Sequence, residues 1–188
     1  MSTSTPYQVA VLVGSLRQAS FNRKLALALQ ALAPPELALR IVEIGHLPFY
    51  NEDEAAAPPA PYGEFRAAIK AADAVLFVSP EYNRSIPAAL KNALDVGSRP
   101  YGQNAFEGKP GAVVTLSPGG LGGFGAHHHL RQVLVCLNVA TLPTPEMYLG
   151  GAADMFTADG AIAKPDTEAF LRKFLATFST WIRKQKAA

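Results

Sequence analysis

The sequence predicts an α/β fold in which a parallel sheet of five strands is covered by helices on both faces. Strand-like and helix-like segments alternate along the whole chain. Several strand-like segments are continuous apolar runs, as expected for strands that are buried on both sides. Right-handed crossovers are the common connection between parallel strands, so the alternating helices are expected to cover both faces of the sheet.

Five segments have the composition of strands. Residues 9–14 form a continuous apolar run that ends in glycine, which predicts a buried strand. Residues 37–44 partly alternate between apolar and polar, which places the second strand nearer an edge. The remaining predicted strands are residues 74–79, 111–117 and 139–143.

Five segments have helical spacing of their apolar residues. Residues 21–32 carry leucines on one face and stop before two prolines. Residues 86–97 follow Ser85, a predicted N-cap, and end at Gly97. The remaining predicted helices are residues 63–73, 126–138 and 166–184.

Two further segments have distinctive composition. The last helix carries four aromatic residues on one face, which predicts core packing for Phe170, Phe174, Phe178 and Trp181. Residues 45–61 lack periodicity and are rich in proline, which predicts a long loop. Loops of this length in compact domains are usually functional or flexible.

Composition places the chain among ordinary globular proteins. Its 188 residues are 49% hydrophobic and 17% charged, which predicts one domain spanning residues 1–188. The net charge of +2 is scattered, so no nucleic-acid partner is expected. No apolar run is long enough for a bilayer and the first residues do not resemble a secretory signal, so we expect a cytoplasmic location. The single cysteine, Cys136, lies in an apolar stretch and is expected to be a buried, inert thiol.

Three loops are expected to form one site. Ligands of open α/β sheets bind at the carboxyl ends of the strands, where the strand order reverses. The loops that follow strands one, three and four are therefore expected to meet there. They are residues 14–22 (GSLRQASFN), 79–87 (SPEYNRSIP) and 117–125 (SPGGLGGFG).

The first loop predicts a site for a terminal phosphate. It leads into a helix N-terminus, where free N–H groups favour an anion. Ser15 and Ser20 add hydroxyl donors, Asn22 an amide donor and Arg17 a guanidinium. A diphosphate bridge requires more glycine than this loop contains, so a mononucleotide is favoured. The alternative is that Ser20 only caps the helix and Arg17 is solvated.

The second loop has two interpretations. Pro80, Glu81, Tyr82 and Asn83 are able to place backbone groups edge-on to a flat heterocycle, with Asn83 contacting its polar edge. Asn, Ser and Pro are also ordinary turn residues, and taken alone the loop is better interpreted as a turn with a helix cap.

The third loop holds five glycines that allow close approach of its backbone to a ring system. Gly120, Gly122 and Gly125 also have the spacing of a dinucleotide-binding fingerprint, with Glu146 as the ribose-binding acid. That fingerprint normally opens a six-stranded domain, whereas here only a short strand and one helix follow. A glycine-rich run also produces this spacing easily, so the match is a weak signal.

The three loops, together with residues 47–53 (LPFYNED) and the extension of the second loop to residue 95, resemble the NADPH-dependent FMN reductase family. The likeness extends from residue 9 to residue 146. This family is flavodoxin-like and includes bacterial quinone reductases, chromate reductases and azoreductases. The resemblance implies a three-layer α/β/α sandwich with strand order 2-1-3-4-5. It also implies a homodimer or a homotetramer.

The resemblance implies non-covalent FMN as cofactor. It places the phosphate at the first loop, the isoalloxazine ring at residues 80–83, and Ser117 and Gly119 on the other side of the ring. The implied cofactor-binding residues are Ser15, Arg17, Ser20, Phe21, Asn22, Pro80, Glu81, Tyr82, Asn83, Ser117 and Gly119.

With FMN the family's chemistry is a ping-pong reaction that needs no acid–base triad. NAD(P)H gives a hydride to FMN and leaves, and a quinone, azo compound, chromate or similar acceptor then takes the electrons. Arg84 and Arg99 are candidates for the phosphates of NAD(P)H or for an anionic acceptor, with solvated surface arginines as the alternative. No catalytic side chain is predicted.

Two other functions compete with this interpretation. One is a flavodoxin-type electron carrier that docks to protein partners, but such carriers are typically acidic and the pI here is about 8.7. The other is a dehydrogenase that uses the loop around Gly120. The histidines 127–129 do not predict a metal site, because successive helical residues point about 100° apart.

Overall fold

The computed structural model of the protein describes residues 5–187. Within them the strands are β1 (Tyr7–Val13), β2 (Leu37–Ile41), β3 (Ala74–Ser79), β4 (Pro110–Leu116), β5 (Ala140–Thr141) and β6 (Met147–Leu149). The helices are α1 (Phe21–Leu32), α2 (Ala60–Ala71), α3 (Ala88–Gly97), α4 (Phe124–Cys136) and α5 (Pro165–Lys186). Short 3-10 turns lie at Glu52–Glu54 and Ala152–Asp154.

The strands form one parallel sheet with the order β2-β1-β3-β4-β5, and β6 also pairs with β4. β1 lies inside the sheet, where Val9 pairs with Leu39 of β2 and with Ala74 of β3. The chain turns to one side after β1 and to the other side from β3 onward, so the switch point lies between β1 and β3. The predicted flavodoxin-like α/β class and the predicted strand order are confirmed.

The fifth position of the sheet is divided between two short strands. β5 pairs with the first residues of β4, and β6 pairs with its last three. The connection between them contains Pro143 and Pro145. Because proline has no N–H to donate to a strand ladder, pairing is interrupted there. The single strand predicted at residues 139–143 was therefore too long, and β6 was missed.

Helices cover both faces of the sheet, as predicted. All six residues of β3 are buried. Val75 and Phe77 point into the core under α2, α3 and α4, whereas Leu76 and Val78 point into the core under α1 and α5. This alternation follows from the two-residue period of a strand.

Several boundaries differ from the predicted ones. α1 has the predicted limits, but β2 ends at Ile41 and α2 begins at Ala60, inside the predicted loop. α3 begins at Ala88 with Pro87 at the N-cap, so the prediction of Ser85 as the cap was wrong. The backbone of Ser85 instead closes a turn with Tyr82.

The expectation that Cys136 is buried was wrong, because this residue is exposed. α4 buries Ala126, Leu130 and Leu134, which recur every four residues. Cys136 follows Leu134 by two residues, so it lies about 200° around the helix axis from the buried face. The apolar composition of the segment concealed this orientation.

The aromatic residues of α5 have different environments. Phe174 and Phe178 are buried, and their ring centroids lie 6.3 Å apart in a stacked arrangement. Trp181 donates its indole N–H to the Ala140 carbonyl at 2.7 Å. Phe170 is exposed, so its predicted role in the core was wrong. Neither α5 nor any other helix within residues 5–187 is both long enough and apolar enough to cross a membrane.

Candidate functional site

The loop between β1 and α1 ends in a capped helix N-terminus. Ser20 is the N-cap of α1, and its hydroxyl oxygen accepts the N–H of Arg23 at 3.1 Å. The first turn of α1 contains no acidic side chain. The positive end of the helix dipole is therefore not neutralised by the helix itself, which favours an external anion. The capping role weighed for Ser20 is present, and its hydroxyl also borders a pocket.

Asn22 lies in the first turn of α1 and is only 4% exposed. Its amide nitrogen donates to the Leu116 carbonyl at 3.2 Å, which ties α1 to the end of β4. Its side-chain oxygen is buried without a hydrogen-bond partner. The opposite orientation of the amide would set this oxygen against the Leu116 carbonyl, so the orientation is determined by the protein. The free atom is thus an acceptor, not the donor that the sequence suggested.

The three predicted loops meet at one pocket of about 150 Å³, here called the three-loop pocket. Its lining combines hydroxyl, amide and guanidinium groups of the first loop with the second and third loops. The lining residues are Ser15, Arg17, Ser20, Phe21, Asn22, Pro80, Glu81, Tyr82, Leu116, Ser117 and Pro118. Of the eleven predicted cofactor-binding residues, Asn83 and Gly119 are the two outside this lining.

Two arginines lie near this pocket, and only one of them is paired with an acidic side chain. Arg23 forms a paired hydrogen bond with Glu43, with distances of 2.7 and 3.1 Å, and this contact lowers the pKa of the Glu43 carboxyl. Arg17 is absent from the ion pairs formed within residues 5–187. The guanidinium of Arg17 therefore remains available to a ligand anion.

The loop after β3 is a tight turn. Tyr82 and Ser85 exchange backbone hydrogen bonds of 2.9 Å each. Asn83 and Arg84, between them, have φ angles of 49° and 66°. Positive φ at both central residues defines a type I′ turn, in which asparagine is a preferred residue. The turn interpretation therefore describes the backbone, and Asn83 lies at the tip of the turn.

Glu81 joins the second loop to the third. Its carboxylate accepts the backbone N–H of Ala126 at 3.0 Å, in the first turn of α4. Arg84 lies 3.6 Å from the other carboxylate oxygen, although 78% of its own side chain is exposed. The Glu81 side chain thus caps α4 across the loops, which the sequence did not suggest.

The glycines of the third loop are explained largely by contacts within the protein. Gly122 has a φ of 62°, and a Cβ there would lie 2.5 Å from the Tyr148 backbone. A Cβ on Gly125 would lie 3.0 Å from the Glu81 carboxylate. Gly119 accordingly lies in a loop packed against β6 and Glu81, with its N–H donating to the Ser117 hydroxyl at 3.3 Å.

The dinucleotide-fingerprint interpretation is not supported by the geometry. It requires a free N-terminus of α4 for a pyrophosphate, but Glu81 already occupies that position. It also requires a carboxylate for a ribose, but Glu146 lies 3.8 Å from Arg131 in an ion pair. A second anion at the start of α4 would be repelled by the first.

A larger cleft of about 600 Å³ adjoins the three-loop pocket and shares Arg17 and Tyr82 with it. We call it the apolar cleft, because most of its remaining lining is apolar. These other residues are Gly14, Leu16, Ile44, Gly45, Leu47, Phe49, Pro87, Ala88, Ala89 and Asn92. Sequence reasoning assigned no role to Leu47, Phe49 or Asn92. The only signals for them were the segments 47–53 and 79–95 that contribute to the family resemblance.

Arg99 lies apart from the three-loop pocket. It borders a different cavity of about 360 Å³, which also contains Arg66 and Glu54. Its guanidinium lies 4.6 Å from the ring centroid of Tyr101 and 5.7 Å from that of Tyr50. The structure therefore does not bring the two predicted substrate-binding arginines together.

The three consecutive histidines have separate environments. His127 is buried beside Tyr148, and burial lowers the pKa of His127 to about 4, so its ring is neutral at pH 7. The ring of His128 lies 4.3 Å from that of Phe124, and His129 is 2.7 Å from the Ser85 hydroxyl. Within residues 5–187 no three His, Cys, Asp or Glu side chains are grouped to hold a metal ion.

The fold and the three-loop pocket define a flavodoxin-like protein with a mononucleotide site at the switch point of its sheet. The model of the NADPH-dependent FMN reductase family matches residues 7–154. The chain belongs to this family. The predicted family, the oxidoreductase class, the FMN cofactor and the NAD(P)H cosubstrate are thereby confirmed.

Individual relatives resemble the chain over nearly its whole length. A quinone reductase from Pseudomonas putida is 57% identical over 185 residues, which cover 98% of this chain and 99% of the relative. A 2-hydroxy-1,4-benzoquinone reductase from Burkholderia sp. is 42% identical, with 95% and 98% covered. The structure of FerB, a flavoenzyme NAD(P)H:(acceptor) oxidoreductase from Paracoccus denitrificans, matches with a TM-score of 0.91 and 42% identity, covering 95% of this chain and 98% of FerB.

The residues of the three-loop pocket fit FMN. The positive end of the α1 dipole, the guanidinium of Arg17 and two serine hydroxyls suit a phosphate dianion. The unpartnered oxygen of Asn22 requires a donor, which a ribityl hydroxyl offers and a phosphate dianion does not. A buried acceptor without a partner costs about 1–3 kcal/mol, so a ligand that satisfies it gains affinity.

Proposed function

We propose that this protein reduces quinones with two electrons from NAD(P)H and holds FMN in the three-loop pocket, with the flavin ring facing the adjoining apolar cleft. In this reaction NAD(P)H, a proton and a quinone yield NAD(P)⁺ and a hydroquinone. The names of the similar proteins from Pseudomonas putida and Burkholderia sp. support a quinone as the acceptor. Azo compounds and chromate remain predictions from the resemblance.

One observation carries this proposal. The three loops converge on a pocket at the N-terminus of α1, and the apolar cleft continues from it. The pocket is the smaller of the two and offers hydroxyl, amide and guanidinium groups, whereas the cleft is larger and mostly apolar. This arrangement suits FMN bound in the pocket, with the cleft left open beside its ring for a flat apolar acceptor.

When bound, FMN supplies the two-electron chemistry between nicotinamide and acceptor. The chain's own residues bind and orient it. We assign the phosphate to Ser15, Ser20 and Arg17, and a ribityl hydroxyl to the oxygen of Asn22. Pro80 and Tyr82 would line the ring, with Ser117 and Gly119 on its other side. Glu81 would act indirectly, because its carboxylate holds the second and third loops together.

Arg84 and Arg99, the two predicted substrate-binding arginines, lie at different distances from the three-loop pocket. Arg84 neighbours the three-loop pocket through Glu81 and is largely exposed, so it remains a candidate contact for the phosphates of NAD(P)H. Arg99 would contact NAD(P)H only if the cosubstrate extended into the separate cavity beside Tyr50 and Tyr101. Assembly into a homodimer or homotetramer and a cytoplasmic location also remain proposals from the resemblance and composition.

Replacing Arg17 with alanine tests the phosphate assignment. Loss of a charge-assisted contact is expected to weaken FMN binding by about tenfold to a hundredfold. Fluorescence titration of FMN into apoprotein measures this change. Arg183→Ala is the matched control, because Arg183 is an exposed arginine of α5 outside the three-loop pocket. Equal FMN affinity in the two variants would contradict the assignment.

The reaction itself is tested with the unmodified protein. Anaerobic NADPH is expected to bleach the visible flavin absorption, and addition of 1,4-naphthoquinone is expected to restore it. A protein that retains FMN but shows no NADPH or NADH oxidation with any quinone would contradict the proposed function.

A further inference from the structure

The segment of residues 47–50 forms one side of the apolar cleft, and it carries an exposed aromatic ring. Phe49 borders the cleft together with Tyr82, yet 76% of its surface is accessible to solvent. An exposed phenyl ring is unremarkable when it is free to move. Here the backbone that carries it is held on both sides.

Asn92 of α3 holds this segment through three hydrogen bonds. Its side-chain oxygen accepts the N–H of Tyr50 at 2.8 Å, and its amide nitrogen donates to the carbonyls of Leu47 at 3.3 Å and Pro48 at 2.9 Å. Asn92 is buried, so these bonds are shielded from water. All three connect residues more than forty positions apart in the chain.

Tyr62 of α2 holds the same segment from its other side. Its hydroxyl donates to the carbonyl of Phe49 at 2.8 Å, and its ring is almost completely buried. The backbone carbonyls of residues 47–49 are thus all occupied by two buried side chains. Phe49 is presented on a backbone whose position is set before any ligand arrives, so little conformational entropy remains to be lost on binding.

The cleft that Phe49 borders suits a flat apolar ligand. Its lining offers few hydrogen-bonding side chains beyond those already assigned to FMN or to the 47–50 segment. The apolar residues other than Phe49 are Leu16, Ile44, Leu47, Pro87, Ala88 and Ala89. An aromatic ring stacked on Phe49 would bury apolar surface that is now in contact with water.

We propose that Phe49 determines acceptor specificity by stacking on aromatic quinones, and that Asn92 is a positioning residue that holds Phe49 in place. This inference rests on the proposed function. It predicts a preference for acceptors with a fused aromatic ring over acceptors that have no flat apolar surface.

The test compares two acceptors with NADPH as donor: 1,4-naphthoquinone, which has a ring to stack, and ferricyanide, which has none. In Phe49→Ala the KM for naphthoquinone is expected to rise by about threefold to tenfold, the range given by aromatic stacking. The ratio of kcat/KM for naphthoquinone to that for ferricyanide falls by the same factor. Phe170→Ala, an exposed phenylalanine on α5, is the matched control and retains the ratio of the unmodified protein.

Asn92→Asp tests the positioning role. The substitution keeps an acceptor for Tyr50 but sets a carboxylate against two carbonyl oxygens, which releases the segment. The same fall in the ratio is expected, and Phe49→Ala combined with Asn92→Asp is expected to be no worse than either single variant, because both act through one ring. Flavin content, read from the visible spectrum, reports on folding of each variant.

The outcomes separate this inference from the proposed function. If the unmodified protein reduces quinones and Phe49→Ala leaves the naphthoquinone-to-ferricyanide ratio of kcat/KM unchanged, the specificity role of Phe49 alone is overturned. Equal loss with both acceptors also overturns it, since a merely structural residue would behave in that way. Additive effects of the two substitutions overturn the role of Asn92. An unmodified protein that reduces ferricyanide but no quinone overturns both proposals.

Discussion

Replacing Glu81 with alanine removes the carboxylate that accepts the Ala126 N–H at the start of α4. This helix has Gly123 at its N-cap and no acidic residue in its first turn. No side chain of the helix itself caps it. The substitution therefore leaves a backbone donor without its partner and releases the second loop from the third.

The expected loss of stability follows from the geometry of this contact. A hydrogen bond to a charged group contributes about 1.5–3 kcal/mol, and loss of an N-cap costs about 0.5–2 kcal/mol. The Glu81 side chain is 16% exposed, so water replaces the bond in part. We expect a decrease of about 1.5 kcal/mol in the free energy of unfolding, or about 3–6 °C in Tm for a domain of this size.

Urea unfolding of the apoprotein, followed by the fluorescence of Trp181, measures the change without a contribution from FMN. Glu64→Ala is the matched control, because Glu64 is an exposed glutamate of α2. The result that refutes the reasoning is an apoprotein of unchanged stability whose FMN affinity alone is reduced. Glu81 would then contact the cofactor, as the sequence suggested, and would not cap α4.

Two further substitutions test the packing around the site. Gly122→Ala is expected to lower the free energy of unfolding by about 3 kcal/mol, because residue 122 has a positive φ and its Cβ would lie 2.5 Å from backbone. Gly120→Ala is the control: its Cβ meets no atom within 4 Å, so the expected loss is under about 1 kcal/mol. Equal urea midpoints for the two variants would contradict this. Burial lowers the pKa of His127 to about 4 from its ordinary 6.5, so the unfolded chain binds a proton that the folded chain excludes between these pH values. The contribution of His127 to the free energy of unfolding is therefore fully present above pH 6.5, and it decreases by about 1.4 kcal/mol per pH unit as the pH falls toward 4. His127→Gln lacks this component, and parallel stability–pH curves for the variant and the unmodified protein would show that His127 is not responsible.

Much of the fold was predictable because its signals are local. The continuous apolar runs of β1, β3 and β4 are a direct consequence of burial on both faces. The limits of α1 follow from its leucine spacing and the prolines behind it. Convergence of the three loops was predictable as well, because the carboxyl ends of parallel strands lie at one edge of the sheet.

Other features depend on which neighbour a side chain meets. Cys136 and Phe170 have the composition of core residues, yet each lies on the exposed side of its helix. Asn22 has the expected position, but its donor is used by Leu116 and only its oxygen remains free. Composition records that a residue is apolar or polar, whereas its orientation depends on how whole elements pack.

The sequence by itself determined the layer order, the convergence of three loops and the residue types available to a mononucleotide. Only the tertiary structure decided that Glu81 caps α4, that Arg99 borders a separate cavity, and that Asn92 holds the segment carrying Phe49. The physical reason is distance along the chain. Periodicity describes which side of its own helix or strand a residue lies on. The contacts of Glu81 and Asn92 instead join residues more than forty positions apart, and the distance of Arg99 from the three-loop pocket depends on how the helices pack on the sheet.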